Sequence, residues 1–231
     1  MDLVSHPVSS TVIQRKLKSN GKTVLEYSIK RPSFPNSGNL RRMEQYFAQT
    51  EHQWQMRWEN QLFLQATKAL DRMSDYNLFH PWHASMDYEI TFWKDPLLSI
   101  RIDIKEQGPV TPPVSLCIGE VWDCSSGYPC SLRTFLPVKQ LRWKSKLISQ
   151  LQKQAKQRLN SGDCLFHTEC LAVIKQKFDS NRFYLTEDGL VIFYPLYILG
   201  SYGEGIPTFT IPIESQIQSN KFRALSKTAH R

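Results

Sequence analysis

The chain lacks any apolar run long enough to cross a bilayer as a helix. Its longest, residues 190–199, is about half of the roughly 20 residues required and is interrupted by Pro195 and two tyrosines, so it reads as a buried strand and its exit. A secretory leader is missing as well: the sequence opens Met-Asp-Leu-Val-Ser-His-Pro and stays polar through Asn20, without the basic start and apolar stretch that export requires. Together these absences point to a cytoplasmic protein with no membrane span. Glycine is scarce at 10 residues and 13 prolines are unremarkable among 231, which excludes collagenous and low-complexity chains. The sequence has no phosphate-cradling Gly-Lys-Ser/Thr loop, no dinucleotide-binding glycine fingerprint and no Gly-x-Ser-x-Gly elbow. The expectation is therefore a non-enzymatic protein with no cofactor.

What is present suffices for a core, since 41% of the residues are apolar. Their order points to one α+β domain over residues 1–231, an antiparallel sheet with helices packed on one face. Residues 12–18 and 22–30 alternate apolar with polar around Asn20-Gly21, a pair suited to a tight turn, and Pro32 with Pro35 should end that hairpin. No glycine or proline occurs from Asn39 to Met73, while Met43, Phe47, Trp54, Trp58, Leu62 and Ala66 recur at helical spacing. That predicts a long core-facing helix broken at most once, with an aromatic ligand-stacking stripe as the lesser alternative. Strands follow at 88–93, 97–104 and 114–122, in sequence and without intervening helices, which argues for antiparallel pairing. A helix from about 138 to 160, a short one near 170–178, and strands at 182–185, 190–194 and 208–213 complete the reading, and the polar tail 216–231 is expected to fray.

Five cysteines, an odd number without an export signal, read as reduced thiols. The alternatives are disulfides or a zinc site from Cys124, Cys130, Cys164 and Cys170, although five intervening residues in each pair exceed the usual ligand spacing. His80 and His83 flank Pro81, which favours a turn over a shared metal, so no metal site is assigned. Asp87, Glu89, Asp95 and Asp103 sit on or beside strands, where solvated faces explain them as well as a catalytic carboxylate pair would.

Charge is distributed unevenly. Between Asp123 and Asp163 there is no acidic residue, while eight Lys and Arg residues fall there, equal to the +8 of the whole chain. Arg142, Lys146, Lys153 and Lys156 lie within roughly 80° of one helix face, opposite Leu141, Leu147, Ile148, Leu151, Ala155 and Leu159. A solvated face is the plain explanation; binding of nucleic acid, another anionic polymer or an acidic surface is the functional one.

The segment Phe183-Tyr-Leu-Thr-Glu-Asp-Gly-Leu-Val-Ile-Phe-Tyr-Pro195, then Tyr197, then Gly203-Glu-Gly-Ile-Pro-Thr-Phe-Thr-Ile-Pro212, resembles the C-terminal signature of the RsiV-like domain (domain of unknown function 3298). That family is named for an anti-sigma factor whose extracytoplasmic part binds lysozyme. The resemblance is specific over about 30 residues and weaker back to Val12; residues 108–113 depart from the turn that many members carry. It implies a module that binds a protein or a cell-envelope ligand, with a lysozyme-like partner as one form of it. Tyr194, Tyr197, Tyr202 and Glu204 are the expected contact residues, because a ring with a polar tip suits an interface. A nucleic-acid or anionic-polymer binder acting through the basic helix is the alternative, and a cell-envelope hydrolase comes last.

Overall fold

A computed structural model describes residues 8–108, 112–136 and 142–213. The fold is α+β. Leu141, the middle of the 108–113 turn and the 216–231 tail lie outside the described residues.

Asn20 and Gly21 adopt φ of 50° and 78°, the left-handed pair that a two-residue hairpin turn needs, and join β1 (Ser9–Ser19) to β2 (Lys22–Ser33). Pairing does not stop at Pro32 as expected but continues until Ser9 faces Ser33. The other flank of β2 is paired only from Leu25 to Ile29, so Pro32 sits where one missing N–H is tolerated. The predicted long helix is α1 (Leu40–Arg57), a π turn (Trp58–Leu62) and α2 (Phe63–Asp71). Met43, Phe47, Trp58, Leu62 and Ala66 are buried, and Trp54 is half-buried.

This helical crossover returns the chain so that β3 (Trp82–Lys94) pairs with β2 in parallel, Leu25 beside Trp82 and Ile29 beside Met86. The sheet is therefore mixed. Its order is sequential, β1-β2-β3-β4-β5-β6, with β4 at Leu97–Gln107, β5 at Val114–Asp123 and β6 at Tyr128–Pro129. A second sheet, antiparallel throughout, comprises β7 (Phe183–Thr186), β8 (Gly189–Phe193) and β9 (Thr208–Ile211). Its first turn is Glu187-Asp188, one residue earlier than Asp188-Gly189. Gly189 opens β8 at φ 137°, and a Cβ there would lie 2.4 Å from the Ile211 carbonyl oxygen.

The described chain divides into two compact units: residues up to Tyr88 with Ile102–Ser115, and Glu89–Arg101 with residues from Leu116 onward. In the first, Leu25, Tyr27 and Ile29 of β2 are buried on one face. Polar groups also join that face to the helices. Arg31 donates to Glu51 at 2.7 Å and forks onto both oxygens of Glu44 at 2.9 and 3.1 Å. Arg57 grips Glu106 at 2.7 and 2.9 Å, the Trp58 indole donates to the same carboxylate at 2.9 Å, and the Tyr27 hydroxyl donates to Glu59.

In the second unit the predicted helix is α3 (Trp143–Ser161), its expected first residues 138–141 lying outside the described residues, and it ends on Gly162 at φ 73°, a left-handed cap. Leu147, Leu151 and Ala155 of α3 share one buried cluster with Ile174 of α4 (Cys170–Gln176), Leu190 and Ile192 of β8 and Phe209 of β9. No described helix is long and apolar enough to cross a membrane.

Candidate functional site: a tyrosine loop on a buried frame

The connection from β8 to β9 leaves the sheet at Tyr194, whose N–H donates to the Pro207 carbonyl at 2.9 Å and closes the base of the loop. Tyr194 itself is 1% exposed. Its hydroxyl donates to the Ile174 carbonyl at 2.9 Å and its ring meets Phe209 edge-on, while burial raises its pKa well above the ordinary phenol value. Of the four expected contact residues, this one belongs to the core.

Glu204 is likewise committed. Its carboxylate accepts from Arg158 and from the Leu165 N–H, both at 2.6 Å. Arg158 also donates to the Thr208 carbonyl at 3.3 Å, and its guanidinium stacks 4.6 Å over the Phe166 ring. This Arg158–Glu204 pair ties α3 to the loop. The 164–167 strap crosses beside it: His167 N–H donates to the Leu199 carbonyl at 2.8 Å and Ser201 N–H to the Leu165 carbonyl at 3.2 Å. A Cβ on Gly200 would come 2.5 Å from the Leu165 carbonyl oxygen, so glycine is what lets the two backbones approach.

On this frame Tyr197 and Tyr202 project, 47% and 53% exposed, with ring centroids 6.1 Å apart. Leu165, 56% exposed, lies against Gly203, where even a Cβ would come within 2.9 Å of its methyl. Tyr197 is held at φ 67°, a region where a side chain with a Cβ is strained by about 1–2 kcal/mol. Nothing in the sequence marks Leu165, because its strap reaches the loop through the Phe166–Gly200 bridge and the Leu165–Glu204 hydrogen bond, between residues far apart along the chain.

The basic stripe separates into two groups. Lys146, Lys153 and Lys156 are exposed on α3 without ion-pair partners among the described residues, and Arg142 is exposed just before the helix. Arg158 is spent on Glu204, and Lys144 sits 5.4 Å over the Phe178 ring. Elsewhere, Asp87 pairs with Lys30 and Glu89 with Arg101, as solvated strand faces do. None of the five cysteines is joined in a disulfide, and burial first, then the nearby Asp123 carboxylate, pushes Cys124 and Cys130 up to about 12. Among the described residues no three His, Cys, Asp or Glu side chains gather into a metal set.

Both the helix and the tyrosine loop fall inside one recognised segment. Residues 138–214 match DUF3298, a protein family of unknown function. Two solved members of that family share the fold. One, from Bacteroides fragilis, is 17% identical, with 92% of each chain covered and a TM-score of 0.59. The other, a DUF3298 family protein from Pseudomonas aeruginosa, is 13% identical over 94% of this chain and 96% of that one, with a TM-score of 0.61. At these identities the likeness is one of fold. No curated protein matches the sequence.

Proposed function

We propose that this protein is a non-enzymatic binding module, and that its DUF3298 segment engages a protein partner through Tyr197 and Tyr202 with Leu165 beside them. The carrying observation is Tyr197: a half-exposed ring on a backbone conformation that glycine would adopt without strain. Folding gains little from such a ring, whereas an interface gains a large, rigid contact with a polar tip. Tyr194, Arg158 and Glu204 then serve as positioning residues. The RsiV-like resemblance makes a lysozyme-like protein the first candidate partner.

The test is retention from lysate of the source cell, with lysozyme as a purified candidate, on immobilised wild type and on a Tyr197→Gly/Tyr202→Ala variant, at high salt and after nuclease treatment. A specific protein held by the wild type and released by the variant is expected. Equal retention on both, or none on either, contradicts the reading.

The exposed lysines of α3 support a second reading, an anionic-polymer surface. Three lysines neutralise few phosphates, so the salt slope of log affinity is roughly −2.7, and such binding is weak at physiological salt. Nuclease-sensitive retention abolished by Lys146→Glu, Lys153→Glu and Lys156→Glu together favours this surface over the tyrosine loop.

A further inference from the structure

The open face of the first unit's sheet carries a groove of about 570 Å³, within the ~300–1,000 Å³ usual for small-molecule sites. Strand register builds it. Residues directly opposite on paired strands share a face, so Gln14, Ser28 and Ser85 form one row and Lys16, Glu26 and His83 the next. The alternate residues of β2 and β3, including Leu25, Tyr27, Ala84 and Met86, are buried on the other face. The floor is therefore short serine side chains on β2 and β3. Longer side chains of β1, and Lys105 with Gln107 of β4, line the two sides.

The chemistry of this lining is selective. Glu26, the groove's carboxylate, is paired with Lys16 at 2.9 Å. Lys105 is exposed and has no acidic partner among the described residues, so a negative group arriving there meets an uncompensated cation. Around it stand hydroxyl and amide groups that both donate and accept, with His83 in the neighbouring row and Arg15 also on the lining. Most of the strands' apolar side chains are buried on the other face, and the apolar surface that the groove does present comes from Tyr27, Ala84 and the stems of its longer polar side chains. A compact molecule with several hydroxyls and one anionic group satisfies the lining.

We infer that the groove binds a sugar bearing a single acidic substituent, a carboxylate or a phosphate, with its hydroxyls on Ser28, Ser85 and Gln107 and its anion on Lys105. The site lies in the first unit, and its test is independent of the tyrosine loop.

The full chain, isotopically labelled, is titrated with glucuronate and with glucose 6-phosphate, with glucose and inorganic phosphate as controls, and amide shifts are followed. At least one acidic sugar should move the signals of Gln14, Ser28, Ser85 and Lys105, binding about tenfold or more tightly than either control. The arm that binds identifies the anion as carboxylate or phosphate. Lys105→Gln, an exposed substitution, should weaken that binding about tenfold while leaving the spectrum of the free protein otherwise unchanged. Failure of both acidic sugars to bind, equal binding of inorganic phosphate alone, or undiminished binding by Lys105→Gln overturns the assignment.

Discussion

In the first unit carboxylates and guanidinium groups thread the seam between helix and sheet, whereas in the second unit α3, α4 and the three-stranded sheet close on aliphatic and aromatic side chains. Arg31 lies between Glu44 and Glu51, and Arg57 and Trp58 share Glu106. Such buried pairs add little net stability, because desolvation offsets their attraction, but removing one member leaves a charge or an N–H stranded. The second unit gains mainly from area, and its buried polar groups, among them the Tyr194 hydroxyl, Ser99, Asp123 and the Glu204 carboxylate, are hydrogen-bonded. The contrast teaches where each unit tolerates change. The first is brittle toward charge along its whole helix–sheet seam; the second depends on charge at the Arg158–Glu204 tie of its loop, while its helix–sheet core is apolar and its loop carries exposed aromatics that packing does not require.

The largest expected effect probes the packed unit. Phe209→Ala removes a ring that is 2% exposed and touches Tyr194, Phe166 and Arg158, and should cost about 3–5 kcal/mol in urea denaturation. In the charged unit Glu44→Ala leaves Arg31 with one carboxylate and the Phe34 N–H without its acceptor. A loss of about 2–3 kcal/mol is expected, while Glu26→Ala, which breaks the exposed Lys16 pair, should cost less than about 1 kcal/mol. If the two glutamates cost the same, the distinction between buried and solvated charge is wrong. Cys124 and Cys130, thiols rather than thiolates at pH 8, should resist iodoacetamide in the folded protein and label fully in urea, as mass spectrometry would show. The smallest effect is at the loop: Tyr197→Gly should leave the melting temperature unchanged or raise stability by up to about 1 kcal/mol, since it relieves a left-handed tyrosine.

The hairpin at Asn20-Gly21, the apolar face of α3 and the strands near the C-terminus were legible in the sequence because each is specified by residues close along the chain. The parallel β2–β3 pair was not, since it depends on where a 32-residue helical excursion, Leu40–Asp71, delivers the chain. The π turn escaped for a related reason: its wider winding preserves an apolar spacing that an ordinary helix would also satisfy. Within the candidate site, Tyr197 and Tyr202 stand out as exposed tyrosines, but sequence alone does not separate them from buried Tyr194 or show that Glu204 answers Arg158, 46 residues away. The groove residues, scattered over four strands, carry no contiguous motif.

The comparison between units is tested most directly by acid. Burial alone would raise the pKa of Glu44 and of Glu106, but the hydrogen bonds from Arg31 and Phe34 to the first, and from Arg57 and Trp58 to the second, outweigh it and hold both below the ordinary carboxylate range. A carboxylate depressed in the folded state contributes stability above its unfolded pKa and loses it as pH falls through the folded value, so the contribution fades below about pH 4.5. Amide spectra recorded from pH 7 to pH 2 should show signals of the first unit losing dispersion before those of the second, and Glu44→Gln with Glu106→Gln should flatten the pH dependence of stability. A single midpoint shared by both units, unmoved by these substitutions, would contradict the claim that buried charge fastens the helix–sheet seam of the first unit and apolar packing that of the second.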